Sequence, residues 1–204
     1  MRLLVLTPVI LLVAGCGSAA QSPGPTPTHS PHLYSAPPRM SINTRGLYTA
    51  TVRTSDGTMV IQLAPRLAPL AVNNFIFLAR HHFYDRNIFH RIIKGRYIQS
   101  GDPTGTGFGG PGYTFRVEKP ARPYAVGDVT MARTSQPNSN GSQFFVIVGH
   151  AGTLLAPNFT IIGKVTSGMN VAEKIASTPV GVNPGSNELS DPLEDVFINS
   201  ISIH

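Results

Sequence analysis

Apolar and polar residues alternate over Tyr48–Arg53 (YTATVR) and again over Thr58–Leu63 (TMVIQL). Strand side chains point to opposite faces in turn, so Met59, Ile61 and Leu63 share one face. Asp56-Gly57 between the two runs is a hairpin signal. Pro69 then opens a helical period. Val72, Phe75, Ile76 and Ala79 recur at i, i+3, i+4 and i+7, and Phe83 continues that side, while Asn73, Asn74 and Arg80 fall on the other. A weaker helical pattern covers Met169–Ala176, with Val171, Ala172 and Ile175 facing inward. The other apolar runs read as strands: Phe89–Ile93, Tyr97–Gln99, Val129–Ala132, Gln143–Val148, Thr160–Val165 and Val196–Ile203. Many short strands, Gly and Pro punctuation and two helices predict a mainly β domain. The expected form is a closed or nearly closed antiparallel barrel with a helix over each end.

The N-terminus follows other rules. Leu3–Val13 is apolar but too short for a comfortable membrane span, and Arg2 precedes it, which is the shape of a signal peptide. It ends in Leu12-Val13-Ala14-Gly15-Cys16, which resembles a bacterial lipobox, in which the cysteine carries a lipid and becomes the mature N-terminus. Cys16 is the single cysteine of the chain, so no internal disulfide is available. Downstream, SPGPTPTHSPH offers almost nothing apolar to bury. The expected organisation is a lipoprotein signal peptide at 1–15, a disordered Pro/Ser/Thr-rich tether at 16–45 and a folded domain at 46–204. The protein is expected at the extracytoplasmic face of the cell membrane, held by a lipid on Cys16.

Composition adds limits. Hydrophobic residues make up 41% of the 204 residues and charged residues 13%, enough for one real core. The formal charge of +6 is dispersed, without the basic run that a nucleic-acid arm would need, so no nucleic-acid partner is expected.

Two blocks carry the chemistry. Phe89 to Tyr113 reads FHRIIKGRYIQSGDPTGTGFGGPGY, and Asn140 to Val148 reads NGSQFFVIV. The first places an Arg, a Gln and a Tyr on one extended stretch. The second brings a Gln and two Phe to a neighbouring one. Together they make a polar edge and an aromatic floor, with no nucleophile and no metal-ligand set. Such a site can hold a peptide and perturb its backbone without breaking a bond. Both blocks closely resemble the cyclophilin family of peptidyl-prolyl cis-trans isomerases, and the resemblance extends over YTATVRTSDGTMVIQL, VNNFIFLARHHFYD and IIGKVTSGM.

That resemblance implies an eight-stranded barrel capped by two helices, with a proline-binding groove on its outer face. It implies that Arg91 is the catalytic arginine, Gln99 the groove glutamine and Phe145 the floor of the proline pocket, with Phe144 turned to the core. Ala132, Gln143 and Leu155 match further groove positions. The chain also departs from the family. Arg96 stands where an aromatic pocket wall is usual, Tyr97 follows where Met is frequent, Leu154 replaces a frequent Trp, and Phe159 a His or Tyr. Arg133, after Ala132, is a position that varies. These changes put catalytic rate and substrate range in question more than the fold.

Two other signals resolve to bland readings. Gly105–Gly110 satisfies G-x-G-x-x-G, but Pro111-Gly112 and a strand-like stretch follow where a dinucleotide site needs a helix. His81, His82 and His90 lack the spacing and carboxylates of a metal site. The expectation is therefore an isomerase, without cofactor or metal, acting as a monomer on proline-containing polypeptides among exported proteins and assisting their folding. The alternative is a proline-peptide binding module or holdase with weak isomerase activity.

Overall fold

The computed structural model describes residues 33–204. The predicted signal peptide and Cys16 lie outside the described residues. The chain forms β1 (Thr49–Thr54), β2 (Gly57–Leu63), α1 (Pro69–Arg80), β3 (Arg91–Ile93), β4 (Tyr97–Ser100), β5 (Asp128–Met131), β6 (Phe144–Ile147), α2 (His150–Thr153), β7 (Ile161–Ser167), α3 (Met169–Ala176), β8 (Val180–Val182), β9 (Leu189–Pro192) and β10 (Ile198–Ile203). Eight strands make one antiparallel sheet in the order β10-β1-β2-β7-β5-β6-β4-β3, and β8 and β9 form a separate hairpin.

The β1–β2 hairpin forms where predicted, with a shifted turn. Gly57 pairs with Thr54, so Ser55 and Asp56 are the loop residues. Thr54 Oγ1 accepts from Asp56 N at 3.1 Å and donates to Gly57 O at 2.8 Å. Gly57 sits at φ 139°, and a Cβ there would lie 2.8 Å from Val171 of α3, so the turn requires glycine twice over.

The closed barrel expected from the sequence is corrected to an open sheet. No ladder joins the outer strands β3 and β10. The two ends meet at one corner only, where Arg86, Asn87 and Phe89 exchange backbone hydrogen bonds with Val196 and Ile198 and Ile88 bridges Phe197. The reason lies in β3. It is three residues long, and Asn87 to His90 before it do not continue as strand.

One face of the sheet and α1 enclose the main core. Phe75 of α1 meets Phe144 of β6 edge to face at 5.5 Å, over Met59, Ile92, Ile98 and Met131. α1 has no capping side chain of its own. The carboxylate of Glu118, 47 residues away from Ala71, accepts from Leu70 N at 3.1 Å and Ala71 N at 2.9 Å, placing an anion at the helix N-terminus.

The sequence reading put Asn73 and Asn74 on the exposed side of α1, but both are buried. Loops cover that side. Asn73 Nδ2 donates to Arg39 O at 3.1 Å and its Oδ1 accepts from Ser41 N at 2.9 Å, while Asn74 Nδ2 donates to Gly141 O at 2.9 Å. Residues 33–45, counted with the tether above, are thereby held on the domain. Tyr34 N donates to Pro111 O, and its ring packs on Phe77 at 5.1 Å. The short helix α2 and the β8–β9 hairpin were not anticipated. Among the described residues no helix is long and apolar enough to cross a membrane.

Candidate functional site

The outer face of β3, β4 and β6 carries the predicted residues in register. Arg91 pairs with Gln99 across β3 and β4, and Gln99 with Phe145 across β4 and β6. Directly opposite strand residues project from the same face. Alternation along β6 sends Phe144 into the main core and Phe145 outward, as the resemblance implied.

Phe145 belongs to a second apolar cluster, separate from the main core, with Tyr97, Tyr124, Ile147 and Ile161. Its ring lies 4.9 Å from Tyr97 and 5.3 Å from Phe159, and Leu155 and Ala132 pack at the margin. This is the floor of the candidate pocket.

Beside that floor runs a continuous hydrogen-bonded row. Arg91 Nη1 donates to Gln99 Oε1 at 3.2 Å, Gln99 Nε2 to Gln143 Oε1 at 2.8 Å, and Gln143 Nε2 to the carbonyls of Gly107 and Gly109 at 2.9 Å each. The glycine loop that supplies those carbonyls is fixed from below by Asp102. Its buried carboxylate accepts from Thr104 N, Thr104 Oγ1, Gly107 N and Gly109 N at 2.6–3.0 Å. Burial alone would raise the Asp102 pKa, but the Thr104 and Gly109 donors outweigh it and hold the carboxyl below its usual range. A Cβ on Gly109 would collide with that carboxylate, so the loop takes glycine to wrap an anion of its own chain. No helix follows it.

At the other end of the row Arg91 meets Glu188. Nε donates to Oε2 at 2.7 Å and Nη2 to Oε1 at 3.1 Å, a two-point pair across 97 residues of sequence. Burial works against the arginine's charge, and Glu188 with Tyr97 more than restores it, so Arg91 stays a cation. Hydrogen bonding to Arg91 in turn holds the Glu188 carboxyl below the usual range. The Arg91 guanidinium carbon also stands 5.3 Å from the Tyr97 ring centre, with Arg96 at 5.7 Å.

Of the remaining predicted residues, Ala132, Arg133 and Gln143 line a groove of about 800 Å³ together with Gln99 and the glycine loop. Arg133 is spent partly on the carbonyls of Ser135, Gln136 and Asn158 at 3.2–3.4 Å. Leu154 is 73% exposed and stands apart from the apolar cluster, whereas Leu155 joins it. His81 and His82 lie exposed at the end of α1, and His90 is buried. Among the described residues no group of three or more His, Cys, Asp or Glu side chains could hold a metal ion.

Two residues that brace the row were missed. Glu188 and Asp102 belong to no periodic segment. For Asp102 a signal exists in hindsight: an acid followed at once by Pro-Thr-Gly-Thr-Gly, where backbone N–H groups are free to converge on it. Glu188, in SNELSDP, carries none.

Comparison with known proteins shows the family. The family model described as cyclophilin type peptidyl-prolyl cis-trans isomerase/CLD matches residues 49–203. Peptidyl-prolyl cis-trans isomerase B of Streptomyces anulatus is 37% identical over 172 residues, covering 76% of this chain and 95% of that protein. Peptidyl-prolyl cis-trans isomerase cyp15 of Rhizopus delemar is 40% identical over 163 residues, but this chain spans only 24% of its length. Mouse peptidylprolyl isomerase domain and WD repeat-containing protein 1 is likewise matched over 24% of its length, at 41% identity. Among solved structures, a Cryptosporidium parvum cyclophilin type isomerase superposes with TM-score 0.70 at 32% identity, covering 78% of this chain and 98% of that one. The same protein in the presence of the dipeptide Ala-Pro gives 0.69 at 33% identity, with 76% and 98% covered.

Proposed function

The chain belongs to the cyclophilin-type peptidyl-prolyl cis-trans isomerases, and from that premise we propose that it speeds rotation about X–Pro bonds in exported proteins at the sheet face that carries Arg91, Gln99 and Phe145. The observation that carries this reading is the convergence of Arg91, Gln99 and Phe145 on one face of the sheet, a fixed cation beside a buried apolar floor, next to the groove that Gln99, Gln143, Ala132 and Arg133 line.

An X–Pro bond resists rotation because amide resonance gives C–N double-bond character, with a barrier of about 18–20 kcal/mol. Uncatalysed exchange takes about 10–100 s. In the twisted transition state conjugation is lost, and the proline nitrogen becomes a better acceptor. The proline ring rests on Phe145, between Tyr97 and Phe159. The Arg91 guanidinium then donates to the rotating amide more strongly in the twisted state than in the planar one, which is differential binding. Gln99 holds the guanidinium from one side and offers the polar edge to the peptide backbone. No proton leaves any protein group in this scheme, and no bond is made or broken. Arginine suits it by remaining charged and presenting donors in a rigid fork.

The sequence supports a setting as well. The lipobox-like segment ending at Cys16 favours a lipid tether to the extracytoplasmic face of the membrane, where the protein, taken as a monomer, acts on proline-containing polypeptides. Replacing Cys16 with Ser should then release the protein from membranes, and wild type recovered free of lipid would sink the anchoring idea. The exposure of Leu154 and the presence of Arg96 favour a second reading, a proline-peptide binder with weak turnover. A protease-coupled isomerase assay on Ala-Pro tetrapeptides decides between them. Catalysed exchange well above the spontaneous rate is expected. Peptide binding without acceleration would replace the isomerase by the binding module.

A further inference from the structure

We propose that Glu188, carried on the β8–β9 hairpin, is a positioning residue that fixes the Arg91 guanidinium for the isomerase reaction. The inference rests on the isomerase reading above and adds an element to it.

The hairpin packs β9 against the short edge strand β3, on which Arg91 sits. The loop from Asn183 to Glu188 is closed by its own backbone: Asn183 N donates to Glu188 O at 2.7 Å, and Asn187 N to Asn183 O at 2.9 Å. Asn183 Oδ1 further accepts from Gly185 N at 2.9 Å. Glu188 is thus presented from a stiff turn, and the carboxylate it offers meets the arginine at two nitrogens. An arginine on an edge strand, 36% exposed at the side chain, would otherwise sample many rotamers. Here three contacts restrain it from three directions: Glu188 across the hairpin, Gln99 along the sheet and the Tyr97 ring below.

The alternative role for such a pair is a plug that a substrate must displace. Donor arithmetic argues against it. A guanidinium carries five N–H groups. Glu188 takes Nε–H and one on Nη2, and Gln99 takes one on Nη1. One N–H on each terminal nitrogen is left for a peptide. The pair therefore orients the fork while leaving it able to donate. An enzyme that works by a hydrogen bond made chiefly in the transition state gains rate from exactness of aim, so loss of Glu188 should fall on kcat.

The test compares wild type with Glu188→Ala and Glu188→Gln in two measurements on the folded protein. In the isomerase assay Glu188→Ala should lower kcat about fivefold with KM changed less than about twofold, the size of a half-exposed ion pair. Glu188→Gln keeps one acceptor oxygen and should recover part of that loss. In NMR the Arg91 Nε–H resonance should be restrained and slow to exchange in wild type, partly loosened in Glu188→Gln and averaged in Glu188→Ala. Equal restraint of Arg91 in wild type and Glu188→Ala overturns the proposal, as does an unchanged kcat. A higher kcat in Glu188→Ala also overturns it, in favour of the plug. A wild type with no isomerase activity overturns the functional reading instead, while the Arg91 Nε–H comparison still decides whether Glu188 fixes the guanidinium.

Discussion

On the proposed mechanism, replacing Arg91 should lower activity while leaving the fold intact. The reaction asks one charge-assisted hydrogen bond of this side chain, worth about 1.5–3 kcal/mol when made in the transition state. Each 1.36 kcal/mol is about tenfold in rate, so Arg91→Ala should lower kcat/KM by roughly 10- to 150-fold. The stability cost is argued from exposure. The Arg91 and Glu188 side chains are 36% and 32% exposed, so solvent screens the pair and rehydrates the carboxylate left behind. Such pairs contribute about 0–1 kcal/mol, which for a domain of this size shifts Tm by only a few degrees. Gln99 keeps its bond to Gln143, so the rest of the row survives. Arg91→Lys refines the test: it keeps the charge but has one nitrogen where the native fork uses three to reach Glu188 and Gln99. It should lie nearer to Ala than to wild type if aim matters more than charge. The measurements are protease-coupled kcat/KM on an Ala-Pro peptide and a thermal melt of the same samples. Arg91→Ala with wild-type activity, or with activity lost only in proportion to unfolded protein, would refute the mechanism.

Three further outcomes follow from the geometry. Phe145→Ala removes the floor between Tyr97 and Phe159. It should destabilise the domain by about 3 kcal/mol, at the low end for a buried Phe because the cluster lies on the outer face, and weaken binding of prolyl peptides; urea titration with peptide binding by NMR checks both. Asp102 has its carboxyl held below the usual range in the folded state. Its stabilisation is therefore complete above the ordinary carboxylate pKa and is lost as pH falls through the lower, folded value. Asp102→Asn should cost about 1.5–3 kcal/mol at neutral pH, because an amide cannot accept from all of the donors around it, and should flatten the acid limb of stability against pH. Finally, Arg96 and Arg133 lack a carboxylate partner among the described residues, whereas Arg91 has Glu188. Peptides with Asp or Glu near the proline should be turned over about two- to threefold faster than Lys or Arg counterparts at low salt, converging at high salt; a preference indifferent to salt would show that rim charge is not its cause.

The fold was legible where one physical rule acts alone. The period-2 pattern of TMVIQL and the helical spacing of Val72, Phe75, Ile76 and Ala79 each reflect burial of one face, and both elements stand where that pattern put them. Legibility failed where a second layer intervened. Asn73 and Asn74 read as solvent-facing because nothing local reveals that residues 38–41 and Gly141 will cover that flank and use their amides. Closure of the sheet failed for a related reason. Phe89 and His90 look like strand, but Phe89 N donates to Val196 O at the corner and neither residue joins the ladder, so β3 begins only at Arg91 and stays an edge.

The groove shows the same division at the scale of single side chains. Arg91, Gln99, Gln143 and Phe145 could be named in advance because the motifs around them resemble the cyclophilin family, and strand register then sets Arg91, Gln99 and Phe145 on one face. Glu188 obeys no such rule. It reaches Arg91 because a hairpin with little periodicity is packed beside an edge strand that had to be covered by something. That ordering has a consequence for variation within the fold. Residues fixed by register can change only with the sheet, whereas a carboxylate delivered by a loop can be moved or exchanged without disturbing it. The sheet thus supplies the arginine and the floor, while on the proposed reading the hairpin's Glu188 sets how firmly that arginine is aimed.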